Sequence, residues 1–370
     1  MEARFLRNVL IKALVLLALV NFAFIAAYPL DGLGKVSGYN SLFRGRQRLP
    51  FGENPQQTYN FSLYNLEAML QSLALDGASR AAAEYRVLVI GDSSAWGTLL
   101  RPEETLAGQL QAMNLAACDG RPVRVYNLAY PTLSLLKDVI ILDMAMRYQP
   151  DLILWPLTLQ SFPHDRQTES PLVQNNARRV LQLAEILDFP LPAADLSEPG
   201  LWQRTLIGQR RALADWLRLQ LYGPMWSATG IDQLYPSDYQ PAARDLQADP
   251  EFNGWPGPNL DPANLAWEVL AAGIQRAGDV PVVLVNEPVL VSSGENSDIR
   301  YNFYYPRWAY DQYRQQLSDQ AAINGWQYLD LWDLVPEDQF TNSAIHLTPY
   351  GVQLMAAEIR PLVQQMACQP

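Results

Sequence analysis

The sequence predicts an open α/β fold, a parallel sheet flanked by helices, and three observations predict it. Five short runs rich in branched and large apolar residues have the length and unbroken hydrophobicity of buried parallel strands. They are Arg86 to Gly91, Arg124 to Ala129, Leu152 to Leu157, Val282 to Glu287 and Trp326 to Leu329. Amphipathic stretches separate them, so that strand and helix alternate along the chain. The composition, 49% hydrophobic and 18% charged over 370 residues, supplies a large core and excludes intrinsic disorder.

In chain order, Val9 to Tyr28 comes first, an apolar run of about 20 residues, enough to cross a bilayer as one helix. Lys12 and Asn21 are its polar interruptions, and Lys12 sits near the entry end, where it can snorkel to the headgroups. Ile25-Ala26-Ala27 makes a poor signal-peptidase site, because Ile stands three residues before the cut; an uncleaved anchor is favoured over a cleaved signal peptide. Arg4, Arg7 and Lys12 precede or enter the span and only Lys35 follows closely, which puts the bulk of the chain outside the cytoplasm, on a periplasmic or extracellular face. Arg44, Arg46 and Arg48 weaken that bias slightly.

Residues 29–61 lack periodicity and read as an extended stalk that packs on the domain, and Phe61 to Leu75 has helical spacing. Helical patterns then cover Glu103 to Ala117, Leu135 to Tyr148, Asn264 to Arg276, Trp308 to Asn324 and Pro349 to Met366. The gap between the third and fourth strands is too long for one crossover. Residues 165–262 therefore read as an insertion, with helical patterns at Val173 to Leu187 and Leu201 to Leu221. The division expected is an anchor or signal segment at 1–28, a stalk and packing segment at 29–83, and the α/β domain at 84–370.

Charge and rare residues narrow the function. A formal charge of -11 speaks against nucleic acid as a partner, since phosphate backbones demand clustered cations. Two cysteines, Cys118 and Cys368, cannot build a zinc cluster, and two histidines, His164 and His346, stand too far apart for a helical metal pair. No metal and no cofactor is expected.

The chemistry-bearing residues lie at the ends of strands. Gly91-Asp92-Ser93-Ser94 places a serine just past the carboxyl end of the first strand, where open α/β sheets put their sites. Asn342-Ser343-Ala344-Ile345-His346-Leu347-Thr348-Pro349 places an imidazole just before a helix that Thr348 can cap and Pro349 can open. Serine needs a base to become a nucleophile, and His346 is the better of the two available. An unperturbed imidazole would set the acid limb of activity at roughly 6 to 7.

These motifs resemble the SGNH hydrolases, or GDSL esterases, over roughly 86–360 outside the insertion: Gly91-Asp92-Ser93 matches the nucleophile motif, and His346 with Gly351 matches the base motif. The resemblance implies a flavodoxin-like three-layer fold with sheet order 2-1-3-4-5, and an acyl-serine intermediate in ester hydrolysis or acyl transfer. Departures are equally plain. Ser343 stands where the family carries the Asp three residues before the histidine, with Asn342 beside it as a further catalytic candidate. The family's oxyanion Asn falls on Leu159, leaving Thr158, Gln160 and the Ser93 N–H as substitutes. A family glycine falls near Thr132, whose N–H can still donate. Glu287, ending the fourth strand, is the first candidate for the missing acid and Asp298 the second.

Weaker candidates for touching substrate are His164, Tyr304 and Trp308, the last two from an aromatic run that can stack on sugar rings or simply pack. In the implied sheet, Cys118 follows the first helix and Cys368 the last, on one face and at the edge away from the site, so a disulfide is expected between them. The reading that results is an extracytoplasmic, membrane-anchored serine esterase or O-acyltransferase, held to the lipid bilayer by residues 9–28. It acts on acyl esters, acetyl first, of a cell-surface or secreted glycan, with a membrane acyl-donor protein as a further partner if it transfers. The competing reading is a non-catalytic glycan-binding or assembly protein that kept the fold.

Overall fold

The computed structural model describes residues 2–39, 45–51, 66–78, 84–191, 196, 200–229 and 238–369. It opens with helix α1 (Glu2–Ala27), whose most apolar window has a mean hydropathy of 2.6 and no burial in the protein. Short helices α2 (Leu30–Lys35), α3 (Leu66–Gln71) and α4 (Ala74–Gly77) follow, so the segment expected to be an extended stalk is partly helical. Residues 61–65 of the expected helix at 61–75 lie outside the described residues.

Strands β1 (Tyr85–Val89), β2 (Val123–Asn127), β3 (Leu152–Leu157), β4 (Val282–Asn286) and β5 (Gln327–Asp330) form one sheet in the order β2-β1-β3-β4-β5. Every pairing is parallel. The order reverses between β1 and β3, which opens a crevice at their carboxyl ends. The three central strands are buried along their whole length, as expected. The edge strands are not: β2 alternates, and β5 is exposed at both ends, because an edge strand lacks a neighbour on one side.

Side chains alternate between two cores. Leu88, Ile153 and Trp155 face one layer, built on α7 (Leu135–Ala145), α11 (Trp267–Ala277) and α12 (Arg307–Asn324). Val87, Val89 and Leu154 face the other, built on α6 (Leu106–Ala112) and α13 (Pro349–Met366). Cys118 and Cys368 follow α6 and α13 on that shared face and are bonded, with Cα atoms 4.8 Å apart at a sequence separation of 250. Closing so long a loop stabilises the fold by about 5 kcal/mol in the chain-entropy account.

Some helices are shorter than their patterns. Thr105 accepts a hydrogen bond from the Gly108 N–H and so starts α6 late. Asn176, at φ -115 and ψ 28, breaks the pattern at 173–187 into α8 (Pro171–Asn175) and α9 (Ala177–Leu187). Residues 201–209 form turns, and α10 (Arg210–Thr229) begins only after them.

Candidate active site

The turn that carries Ser93 is built by two backbone requirements. Gly91 has φ +139, and a Cβ there would meet the Pro156 carbonyl oxygen of β3 at 3.1 Å, so only glycine lets the chain turn out of β1 this close to its neighbour. Asp92 then caps α5 (Ser93–Trp96), its carboxylate accepting from the Ser94 N–H at 2.8 Å. Arg48 closes the far end of α5, donating to the Trp96, Gly97 and Leu100 carbonyls while its guanidinium lies 3.8 Å from the Trp96 ring centroid. Positive charge at a helix C-terminus is favourable. The sequence reading used Arg48 only to count charges near the membrane.

His346 is held by a tight loop, in which the Thr341 N–H donates to the His346 carbonyl at 2.8 Å and Phe340 bridges Leu347. Thr348 caps α13 as expected. His346 Nε2 lies 2.8 Å from Ser93 Oγ, and Nδ1 lies 2.7 Å from Asn342 Oδ1. An amide oxygen only accepts, so Nδ1 carries the ring proton and the lone pair of Nε2 faces the serine hydroxyl. Burial lowers the His346 pKa to about 4, because desolvation disfavours the imidazolium.

Neither Glu287 nor Asp298 orients that ring; Asn342, four residues before the histidine in the same loop, takes the place at Nδ1. The Glu287 N–H donates to the Leu157 carbonyl, which extends β4 beside β3, and its side chain is fully buried beside Asp92 and Ser94. There burial first, then the Asp92 carboxylate, push its pKa well above the usual carboxylate range. Its polar neighbours are the Ser94 side chain and the Asp92 carboxyl, and among the described residues neither Glu287 oxygen has a hydrogen bond of regular geometry. Burial likewise raises Asp92 to about 6. One proton shared between the two carboxyls removes the repulsion of two buried charges.

Lys137, fully buried on the first turn of α7, was missed by sequence reasoning. Its ammonium donates to the Gly91 carbonyl at 2.6 Å and the Tyr130 carbonyl at 2.8 Å, and pairs with Asp138 at 2.5 Å, tying the loop after β1 to the loop after β2. Thr132, in that second loop, has φ +127, a conformation in which L side chains are strained. Its hydroxyl meets Ser170, 2.9 Å away, which leaves its backbone N–H as the group of interest.

The remaining candidates are engaged elsewhere. Thr158 Oγ1 lies 2.7 Å from the Tyr305 hydroxyl, and the Gln160 amide faces the Asn253 amide of the insertion. His164 is half-buried beside Glu268 of α11 at 3.4 Å. Trp308 donates to the Pro250 carbonyl and packs over Gly257, a structural contact with the insertion. Tyr304 sits between the Phe303 and Tyr305 rings. A cleft of about 220 Å³ lies beside β2, between Arg46, Leu75, Gly108 and Tyr126, and not at Ser93.

What the geometry brings together is serine, histidine and asparagine at the crevice of the sheet. No protein-family model matches the chain, and no curated protein does. Among solved structures it is similar to a carbohydrate acetylesterase family member from Sinorhizobium meliloti, at 12% identity and a TM-score of 0.35, covering 76% of this chain and 98% of that one. It is also similar to a protein described as a candidate arylesterase from Agrobacterium tumefaciens, at 14% identity and a TM-score of 0.35, covering 76% and 99%. A protein described as a candidate GDSL-like lipase from Bacteroides ovatus matches at 9% identity and a TM-score of 0.37, covering 78% of this chain and 55% of that one.

Proposed function

We propose that the chain is a serine esterase or O-acyltransferase of the SGNH kind, working through an acyl group carried on Ser93. The observation that carries this reading is the 2.8 Å contact between Ser93 Oγ and a His346 ring whose other nitrogen is fixed by Asn342. Ser93 Oγ attacks the ester carbonyl while its proton passes to His346 Nε2. The carbonyl oxygen becomes an oxyanion, received by the backbone N–H groups of Ser93 and Thr132, for which the fold provides no other acceptor among the described residues. The intermediate collapses, the C–O bond to the leaving alcohol breaks, and His346 returns the proton to that oxygen. Water, or an acceptor hydroxyl, then attacks the acyl-serine with His346 again taking the proton.

Asn342 orients the imidazole without stabilising its positive charge, an arrangement that cysteine proteases with a Cys-His-Asn set also use. The substrate we infer is an acyl ester, acetyl first, on a cell-surface or secreted glycan. The anchor reading of α1 and the bonded Cys118 and Cys368, which suit an oxidising compartment, support this location. The test is hydrolysis of an aryl acetate and of an O-acetylated oligosaccharide by the full chain in detergent or lipid. Turnover that Ser93→Ala abolishes supports the reading; a folded wild-type protein that turns over neither ester, yet binds the oligosaccharide, supports the glycan-binding alternative.

A further inference from the structure

Asn21 interrupts the apolar run of α1 six residues before its end, about 9 Å along the axis at 1.5 Å per residue. A polar group at that depth in lipid is costly unless a partner satisfies it. Asn21 has partners for both of its polar atoms. Its Oδ1 accepts from the backbone N–H of Leu206 at 3.0 Å, 185 residues away in sequence, and its Nδ2 donates to the Leu17 carbonyl at 2.8 Å. Asn21, Phe24, Ile25 and Tyr28 are half-buried, one continuous face, whereas residues 3–20 are exposed all round. The turns at 201–209 therefore lie alongside α1 below the level at which it leaves the apolar run.

Those turns carry side chains unsuited to water. Leu201 is 74% exposed and Trp202 68%. On α10, which follows directly, Leu217, Leu221 and Met225 recur every four residues and are all exposed, a stripe that no part of the described protein covers. The same stretch holds Arg204, Arg210, Arg211 and Arg218 against the single carboxylate of Asp215, in a chain whose net charge is -11. Apolar side chains interleaved with arginine suit the boundary between acyl chains and anionic headgroups.

We propose that residues 201–207 and the exposed stripe of α10 insert into the leaflet beside α1, as a second membrane contact. This rests on reading α1 as a retained anchor. The contact fixes orientation as well as attachment. The Tyr28 ring lies against the Arg178 guanidinium, 5.7 Å from centroid to carbon, and the adjoining Arg179 bonds Asp143 in the last turn of α7. Lys35 pairs with Glu67 at 2.6 Å, and Glu67 with Arg147 at 3.5 Å. α7 ends where β3 begins, so all these contacts gather at the sheet edge opposite Ser93, about 17 Å away along a five-residue strand. Ser93 thus opens away from the lipid that holds the protein, toward substrates outside that bilayer.

The experiment places an environment-sensitive fluorophore on the full chain, at Trp202→Cys, Leu16→Cys or Phe303→Cys in turn, with the native disulfide intact. Each is inserted as one chain per nanodisc of phosphatidylcholine and phosphatidylglycerol carrying spin-labelled lipid. Quenching at positions 202 and 16, and none at 303, is the expected result, with Asn21→Leu reducing quenching at 202 but not at 16. Quenching at 16 with none at 202 overturns the proposal while leaving the anchor intact. Loss of quenching at both sinks the anchor reading itself. A probe at 202 shielded from aqueous iodide yet untouched by spin-labelled lipid means that protein covers this face, which overturns the proposal equally.

Discussion

His346 sits in a balance between orientation and charge, since Asn342 supplies the first and withholds the second. The rate requires the neutral ring, and burial depresses its pKa to about 4, so protonation is deferred to lower pH than for a free imidazole. We expect kcat/KM for an aryl acetate to stay flat on the acid side until pH falls through about 4; a limb at 6 to 7 would mean that the ring is solvated during turnover. Asn342→Asp places a carboxylate at Nδ1, which stabilises the imidazolium, and should move that limb upward and raise kcat. Asn342→Ala should lower kcat by about 10²–10⁴-fold, the usual contribution of a positioned base. The serine and the histidine were legible because each stands next to a turn signal at a strand or helix end. The orienting group was harder to read: Asn342 stands among the candidates, but a search for a carboxylate puts Glu287 and Asp298 forward as the orienting acid, and the fold of the loop at 340–347 decides which side chain reaches Nδ1.

The loops after β1 and β2 are joined by one buried cation. Replacing Lys137 with methionine leaves the Asp138 carboxyl buried without its cation and takes the ammonium donor from the Tyr130 and Gly91 carbonyls, the second of which keeps only the Tyr130 N–H. Removing one member of such a pair costs about 3–5 kcal/mol, so Lys137→Met should unfold at markedly lower urea, read from the midpoint of the transition. Thr132 gives the opposite sign. Its φ of +127 suits glycine, and Thr132→Gly should relieve on the order of 1 kcal/mol of strain, raising the melting temperature while activity persists through the unchanged backbone N–H. Loss of activity in that variant would assign a role to the threonine side chain instead. Hydrophobic runs located all five strands to within a residue or two; burial on both faces gives the three central strands a continuous apolar signature, whereas the edge strands β2 and β5 are only partly buried. Helix starts were less legible, because a cap such as Thr105 outweighs the periodicity on either side of it. Lys137 was invisible for a related reason: only the packing of α7 against two loops turns a lysine in an amphipathic stretch into an interior strut.

Across the whole molecule, the reversal of strand order brings Ser93 and His346 together from positions 253 residues apart, while the disulfide and the α1 contacts gather at the opposite edge. Under the proposed function and membrane contact, that separation holds the Ser93 face toward the surroundings and the opposite face toward the bilayer. The reactivity of one hydroxyl decides whether the Ser93 face is catalytic. A fluorophosphonate probe reacts only with a serine whose proton a neighbouring base removes, so the full-length protein should be labelled on Ser93, and labelling should vanish in His346→Ala. Folded protein that stays unlabelled at Ser93, or that is labelled equally without His346, would contradict the proposed catalytic role.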